Sequence, residues 1–258
     1  MYCLILIEKP LKIKNTLLLL LVFSFGCASV FSQQGKVDPT FNTYDDGLLG
    51  DGFDNTVRTL SVQDDGKLIV GGDFLNFNGV ATPYLCRLLP DGSKDASFFL
   101  GTGFNNKVYT SLLQPDGKIL VAGSFTQFNG TAVGRLVRLN PDGSRDSSFT
   151  ASPGATNSII YNMALQFDGS IFLVGSFTNF NGTTANRIVK ILPSGAVDTS
   201  FVVGSGASGL IEKVALQPDG KIIIGGGFSS FNGVSVGKIA RLNANGTLDT
   251  SFVTGVGF

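Results

Sequence analysis

Four short, unbroken apolar runs recur along the chain: Leu68-Ile69-Val70, Ile119-Leu120-Val121, Ile171-Phe172-Leu173-Val174 and Ile222-Ile223-Ile224. Each follows a β-prone segment and a turn. In the second unit, Val108 to Gln114 reads as a first strand, Pro115-Asp116-Gly117 as a turn and Lys118 to Phe125 as a second strand. A loop with Asn129-Gly130 follows, then a third strand from Arg135 to Asn140, the turn Pro141-Asp142-Gly143, and a fourth strand through Phe149. Pro presets φ in such turns and Gly supplies the positive φ. Adjacent strand residues point to opposite faces, so an unbroken apolar run needs cover on both sides. A sheet wet on one face would alternate instead. Four-stranded sheets stacked around an axis meet the need, and about 50 residues per blade suits a propeller. The expected fold is therefore all-β and β-propeller-like, with about four repeats of four-stranded antiparallel blades; an open β-solenoid arc is the alternative.

Four markers share one register. Asp-Gly pairs stand at residues 65, 116, 168 and 219. A second turn series begins at Asp91, Asp142, Ser194 and Asn245. DASF, DSSF, DTSF and DTSF begin at Asp95, Asp146, Asp198 and Asp249. The triplet FNG begins at Phe77, Phe128, Phe180 and Phe231. These set repeats at about 57–104, 108–156, 159–207 and 211–258, a repeat domain over 57–258, and a partial repeat strand plus loop over 33–56.

The N-terminus has a different pattern. Lys9, Lys12 and Lys14 precede the apolar run Leu17 to Phe25, and small residues follow. This is the order of a secretory signal peptide, and the run is shorter than the ~20 residues of a membrane span. Residues 1–32 are read as the signal, with cleavage after Ser32, so the mature chain is secreted, periplasmic or on the cell surface. Cys27 is a weaker candidate for lipidation, because Ser24-Phe25-Gly26 before it lacks the expected Leu.

Composition changes this picture little. Gly, at 34 residues, is about twice its usual ~7% share, as tight turns require. Charges balance at 19 and 19, and removing the signal leaves 16 basic and 18 acidic residues. A nucleic-acid partner would want a basic excess. The chain has no His, which excludes Ser-His-Asp, Cys-His and His-ligated metal chemistry. Cys86 aligns with Val137, Val189 and Ala240 and reads as a small core residue. No cofactor and no metal are implied. The stretch Asp45, Asp46, Asp51 and Asp54 comes nearest to a calcium loop, without the converging oxygens that calcium needs.

Arg87, Arg138, Lys190 and Arg241 each lie eight residues before Asp95, Asp146, Asp198 and Asp249, with a turn midway. They are read as structural cross-strand pairs worth about 0.2–1 kcal/mol each, in preference to a ligand-binding arginine cluster. A binding site should instead break the repeat symmetry. Arg58, Tyr109, Tyr161 and Glu212 share one position in the first strand, and Lys213 follows Glu212; their chemistry varies while their neighbours stay apolar. They are the candidate mouth for a glycan or peptide, and the plainer alternative is a set of variable exposed strand ends.

The segment VALQPDGKIIIGGGFSSFNG from Val214, continued by KIARLNANGTLDTSF from Lys238, resembles the delta-60 repeat family. The resemblance covers about residues 57–258. It implies a β-propeller-like bacterial surface protein, with no catalytic residue to carry over. Ser194, Lys190 and Phe167 depart from the pattern as turn and charge variants. Val37-Asp38-Pro39-Thr40-Phe41 looks like the DxSF segment of an earlier unit, so ring closure is unmatched. An incomplete or open ring, a fragment of a longer chain, or an arc that self-associates through an uncovered blade face all follow from that. The expected function is a non-enzymatic module that binds or scaffolds at the cell surface, its partner a protein or glycan. The alternatives are a propeller-fold glycoside hydrolase or lyase, for which Glu212 with Asp54 is a poor carboxylate pair, and a structural segment of an adhesin-like protein.

Overall fold

The computed structural model describes residues 38–43, 51–151 and 153–253. Every regular element in them is a strand. The first unit contains β1 (Val57–Val62), β2 (Leu68–Gly72), β3 (Asn76–Phe77), β4 (Val80–Ala81) and β5 (Leu85–Leu88). The second contains β6 (Val108–Leu113), β7 (Ile119–Gly123), β8 (Gln127–Phe128), β9 (Thr131–Ala132) and β10 (Leu136–Leu139). The third contains β11 (Ile160–Leu165), β12 (Ile171–Gly175), β13 (Asn179–Phe180), β14 (Thr183–Thr184) and β15 (Ile188–Ile191). The fourth contains β16 (Ile211–Leu216), β17 (Ile222–Gly226), β18 (Ser230–Phe231), β19 (Val234–Ser235) and β20 (Ile239–Leu242).

In every unit the apolar run is the central strand of an antiparallel sheet, as in the order β1-β2-β5. The fourth strand is short. It joins the sheet through the bridges Leu88–Lys94, Leu139–Arg145, Ile191–Val197 and Leu242–Leu248. Just beyond, the DxSF aspartate turns the chain: Asp95 Oδ1 accepts the Ser97 amide at 2.9 Å and its hydroxyl at 2.6 Å. Side-chain bonds of this kind compete with a ladder, which is why the strand ends there.

The FNG triplet builds the small hairpin between the second and third strands of each sheet. Asn78, Asn129, Asn181 and Asn232 have φ of 48–50°, and the following glycines are also positive, as a two-residue hairpin turn requires. Each asparagine side chain also accepts an amide from the segment leading into its unit: Gly52, Gly103, Gly154 and Gly206, at 2.7–3.0 Å. Phe53 bridges Phe77 as Phe104 bridges Phe128. The first unit therefore starts near residue 51, and the boundary expected at 57 falls inside it.

Both faces of the inner sheets are covered. β7 and β12 are buried along their whole length. Leu120 and Leu136 of the second unit pack with Ile160, Ile171, Leu173 and Val189 of the third. Phe172, Val174 and Ile188 of the third pack with Ile211, Ile222, Ile224 and Leu242 of the fourth. Ile69 and Leu85 pack with Val108, Ile119 and Val121 in the same way. Each such side chain contributes about 1.5–3 kcal/mol when removed from water. Cys86 belongs to the core on β5, and burial pushes its thiol up to about 12. The signal peptide, Cys27, Asp45 and Asp46 lie outside the described residues. Among the described residues no helix is long and apolar enough to cross a membrane.

Candidate functional site

Two recurring polar positions compete for a functional role. The first joins the third strand to the DxSF turn. Arg87 Nε lies 2.9 Å from Asp95 Oδ2, and Arg138 Nε lies 2.8 Å from Asp146 Oδ2. Lys190 is 3.0 Å from Asp198, and Arg241 is 2.8 Å from Asp249. The guanidinium groups do more than pair. Nη1 of Arg87 donates to the Pro141 carbonyl at 2.6 Å, and Nη1 of Arg138 to Pro193 at 2.7 Å, both in the turn of the next unit. The planes cover Phe98 and Phe149 at 4.6 Å. Arg138 and Asp146 side chains are only 9% and 8% exposed. The 0.2–1 kcal/mol expected of exposed pairs is thus too small, because breaking a buried pair strands a charge.

These carboxyls are strongly acidic. Burial alone would raise the Asp95 pKa, but the Ser97 hydroxyl and amide and the Arg87 guanidinium bring it down to about 2. Asp146 is lowered further, with Lys118 at 3.0 Å as an added cation. In the third unit Lys190 sits opposite Phe172, where the other units carry Ile69, Leu120 and Ile223. The larger ring occupies space beside the shorter cation.

The second position is on the first strands. The register of each shifts at one place: between Val57 and Thr59, Val108 and Thr110, Ile160 and Asn162, and Ile211 and Lys213. The extra residues are Arg58, Tyr109, Tyr161 and Glu212. A bulge re-aims the side chain it carries. Glycine makes the bulge possible: a Cβ on Gly123 would lie 2.2 Å from the Lys107 carbonyl oxygen, and one on Gly72, Gly175 or Gly226 would lie 2.0–2.5 Å from the matching carbonyl oxygen.

Neighbouring first strands lie side by side. Thr59 Oγ1 and Ser111 Oγ are 3.0 Å apart, and the Val214 amide reaches Asn162 Oδ1 at 3.2 Å. The bulged residues therefore form a row. The Arg58 guanidinium covers the Tyr109 ring at 4.5 Å, and the Tyr109 ring meets Tyr161 edge-on at 5.2 Å. Glu212 and Lys213 are exposed on β16. No ring or ion-pair contact links either to Tyr161 among the described residues. The sequence reasoning missed two partners, Asp73 and Lys107. Asp73 accepts Arg58 Nε and Nη2 at 2.5 and 2.6 Å and Lys107 Nζ at 2.9 Å. The Arg58 bonds hold its carboxyl below the ordinary range despite burial. The signal was present, since Ser124, Ser176 and Gly227 occupy the matching place in the other units.

Asp54 takes a structural position. Its Oδ1 accepts the Leu75 and Asn76 amides at 2.8 and 3.1 Å. Asn105 and Ser208 do the same for the hairpins of the second and fourth units. Asp54 and Glu212 thus belong to the first and fourth units, and the Asp54 carboxylate is committed to the hairpin of its own unit. Among the described residues no cluster of acidic or Cys side chains could hold a metal.

Stacked, repeated antiparallel sheets define a β-propeller repeat protein. The chain belongs to the family described as "Domain of unknown function (DUF5122) beta-propeller", whose model matches residues 63–98, 114–149, 166–201 and 217–252. No curated protein matches it. Among solved structures, virginiamycin B lyase from Staphylococcus aureus is 16% identical, with a TM-score of 0.48 over 77% of this chain and 57% of the lyase. A gluconolactonase from Xanthomonas campestris is 15% identical, with a TM-score of 0.46 over 74% of this chain and 60% of the enzyme. PorZ, a bacterial surface component of the type-IX secretion system of Porphyromonas gingivalis, is 10% identical, with a TM-score of 0.43 over 76% and 27%. The chain spans a little over half the length of the lyase and the lactonase.

Proposed function

We propose that the chain is an exported, non-catalytic propeller module of the delta-60 type that binds at the cell surface, with Arg58, Tyr109 and Tyr161 as its contact row. One observation carries this reading. The same bulge in successive sheets presents a cation and two aromatic rings in contact, on side chains that change from unit to unit while the bulge itself recurs. Tyrosine supplies apolar area and a polar handle together, which suits a glycan or an extended peptide. The order of charged, apolar and small residues before Ser32 supports export.

The test is a glycan and peptide array probed with the protein and with the Arg58→Ala/Tyr109→Ala/Tyr161→Ala variant. Lys107 still pairs with Asp73 in that variant, so the fold is expected to persist, and its melting temperature is the control. Binding lost at a nearly unchanged melting temperature supports the row. Binding retained by the folded variant rejects it. Turnover of a model polysaccharide that disappears in Glu212→Gln would replace the reading with an enzymatic one.

A further inference from the structure

The first two units differ where the third strand and the DxSF turn meet the link to the next unit. In the first unit this place holds a cavity of about 480 Å³. The matching space in the second unit is about 10 Å³, although every residue around it has its counterpart around the larger one. The residues that line the larger cavity all fall between 81 and 103, within the first unit and its link to the second.

Residues 83 and 84 account for the difference. In the second unit Gly134 lets the link pack on its backbone: a Cβ there would lie 1.6 Å from the Pro153 carbonyl oxygen. The Ala155 amide donates to the Gly134 carbonyl at 2.9 Å, and Arg135 Nη1 donates to the Ala155 carbonyl at 2.5 Å. Pro83 and Tyr84 hold these two positions in the first unit. The proline ring takes the space that the link would need, and neither bond recurs there among the described residues. A Cβ on Gly154 would lie 2.3 Å from the Gly134 carbonyl oxygen, whereas one on the matching Gly103 would stand 3.8 Å from that of Pro83. The link is held off, and the cavity stays open.

Its walls are apolar, from Pro83, Leu85, Phe98 and Leu100. Arg87 and Asp95 also line it, but they neutralise each other at 2.9 Å. The remaining charge is Lys94. Its Nζ donates to Thr82 Oγ1 at 2.8 Å and to the Ala81 carbonyl at 3.4 Å, both neutral oxygens. It forms no ion pair among the described residues. At the mouth, Phe99 is 76% exposed although its amide is tied to the Asp142 carbonyl at 2.9 Å. The second and third units carry Thr150 and Val202 there.

We propose that this cavity binds a small amphiphile, with its hydrocarbon body against Leu85, Phe98 and Leu100, its carboxylate on Lys94, and the Phe99 ring flanking its entry. The volume falls within the range of small-molecule sites, about 300–1,000 Å³, which pair apolar walls with a few placed polar groups. One uncompensated cation among apolar walls selects an anionic head, because charge-assisted hydrogen bonds are the strong ones. The site is separate from the row of Arg58, Tyr109 and Tyr161 and stands or falls without it.

The chain has no Trp, so Phe99→Trp in the full chain puts a single reporter at the mouth. Decanoate, decanol and decyltrimethylammonium, each below its micelle concentration, are titrated against its emission. Decanoate should shift the emission saturably and bind about tenfold more tightly than the other two, the scale of one hydrogen bond to a charged group. Lys94→Met added to the reporter should remove that preference at a nearly unchanged melting temperature. Pro83→Gly/Tyr84→Arg installs the second unit's residues and should abolish decanoate binding, read by calorimetry without the reporter. Equal binding of the three compounds, or an unchanged preference in Lys94→Met, would overturn the anionic assignment. No saturable decanoate binding, or binding retained by Pro83→Gly/Tyr84→Arg, would overturn the site. Should that double variant fail to fold, Leu100→Trp, which fills the cavity, takes its place: lost decanoate binding supports the proposal, and retained binding refutes it.

Discussion

The Arg–Asp pair and the bulged row lie in the same sheets, yet they behave as opposites. The pair keeps opposite charges in every unit, with Lys190 standing for arginine in the third, and in the first two units it is buried and spends its bonds on its own turn and the next unit. The bulged position keeps its backbone in every unit and changes its chemistry from arginine to tyrosine to glutamate. Recurrence of a side chain marks what the fold needs. Recurrence of a backbone feature under a changing side chain marks where the fold leaves room for something else.

The comparison can be broken first at the pair. Arg138→Ala should lower stability by about 3 kcal/mol in urea unfolding, since it strands a buried carboxylate; Lys118 limits the loss. Next, Gly123→Ala pushes a methyl group into the Lys107 carbonyl and should cost about 2 kcal/mol, in line with other overpacking changes. Arg138→Lys reproduces the third unit's pair without its Phe172. It keeps the charge and loses the fork that reaches Pro193 and Ser148, so about 1 kcal/mol should go.

Acid sharpens the contrast more gently. The folded Asp95 carboxyl titrates at about 2 against an ordinary 3.8, and Asp146 and Asp198 are shifted the same way. Groups lowered on folding stabilise fully above their unfolded value and stop doing so as pH falls through the folded one. Stability should therefore be flat above about pH 5 and fall between about pH 4 and 2. Removing one pair with Arg138→Ala/Asp146→Asn should make that fall shallower in a pH series of denaturation curves.

The unbroken runs such as Ile119-Leu120-Val121 made the stacked sheets legible, because alternation cannot be hidden in so short a strand. The eight-residue spacing with a central turn likewise placed Arg138 opposite Asp146. What stayed illegible depends on neighbours. The burial of that pair comes partly from the next unit's Pro193 turn, which lies 55 residues away. The bulge was hidden because it depends on the close approach of the Gly123 backbone to the Lys107 carbonyl at the start of the neighbouring strand, where a Cβ would not fit; four glycines ending the apolar runs were its trace. The hairpin bonds of Asp54 went unseen because the unit was begun at 57, although Gly52-Phe53-Asp54 matches Gly103-Phe104-Asn105.

Unfolding Arg138→Ala and Tyr161→Ala side by side in urea tests the division between frame and row most directly. The expected losses are about 3 kcal/mol for the first and about 1 kcal/mol or less for the second, the scale of one aromatic contact. Equal losses, or a larger one for Tyr161→Ala, would place the aromatic row in the frame of the fold and contradict its assignment as a surface left free for binding.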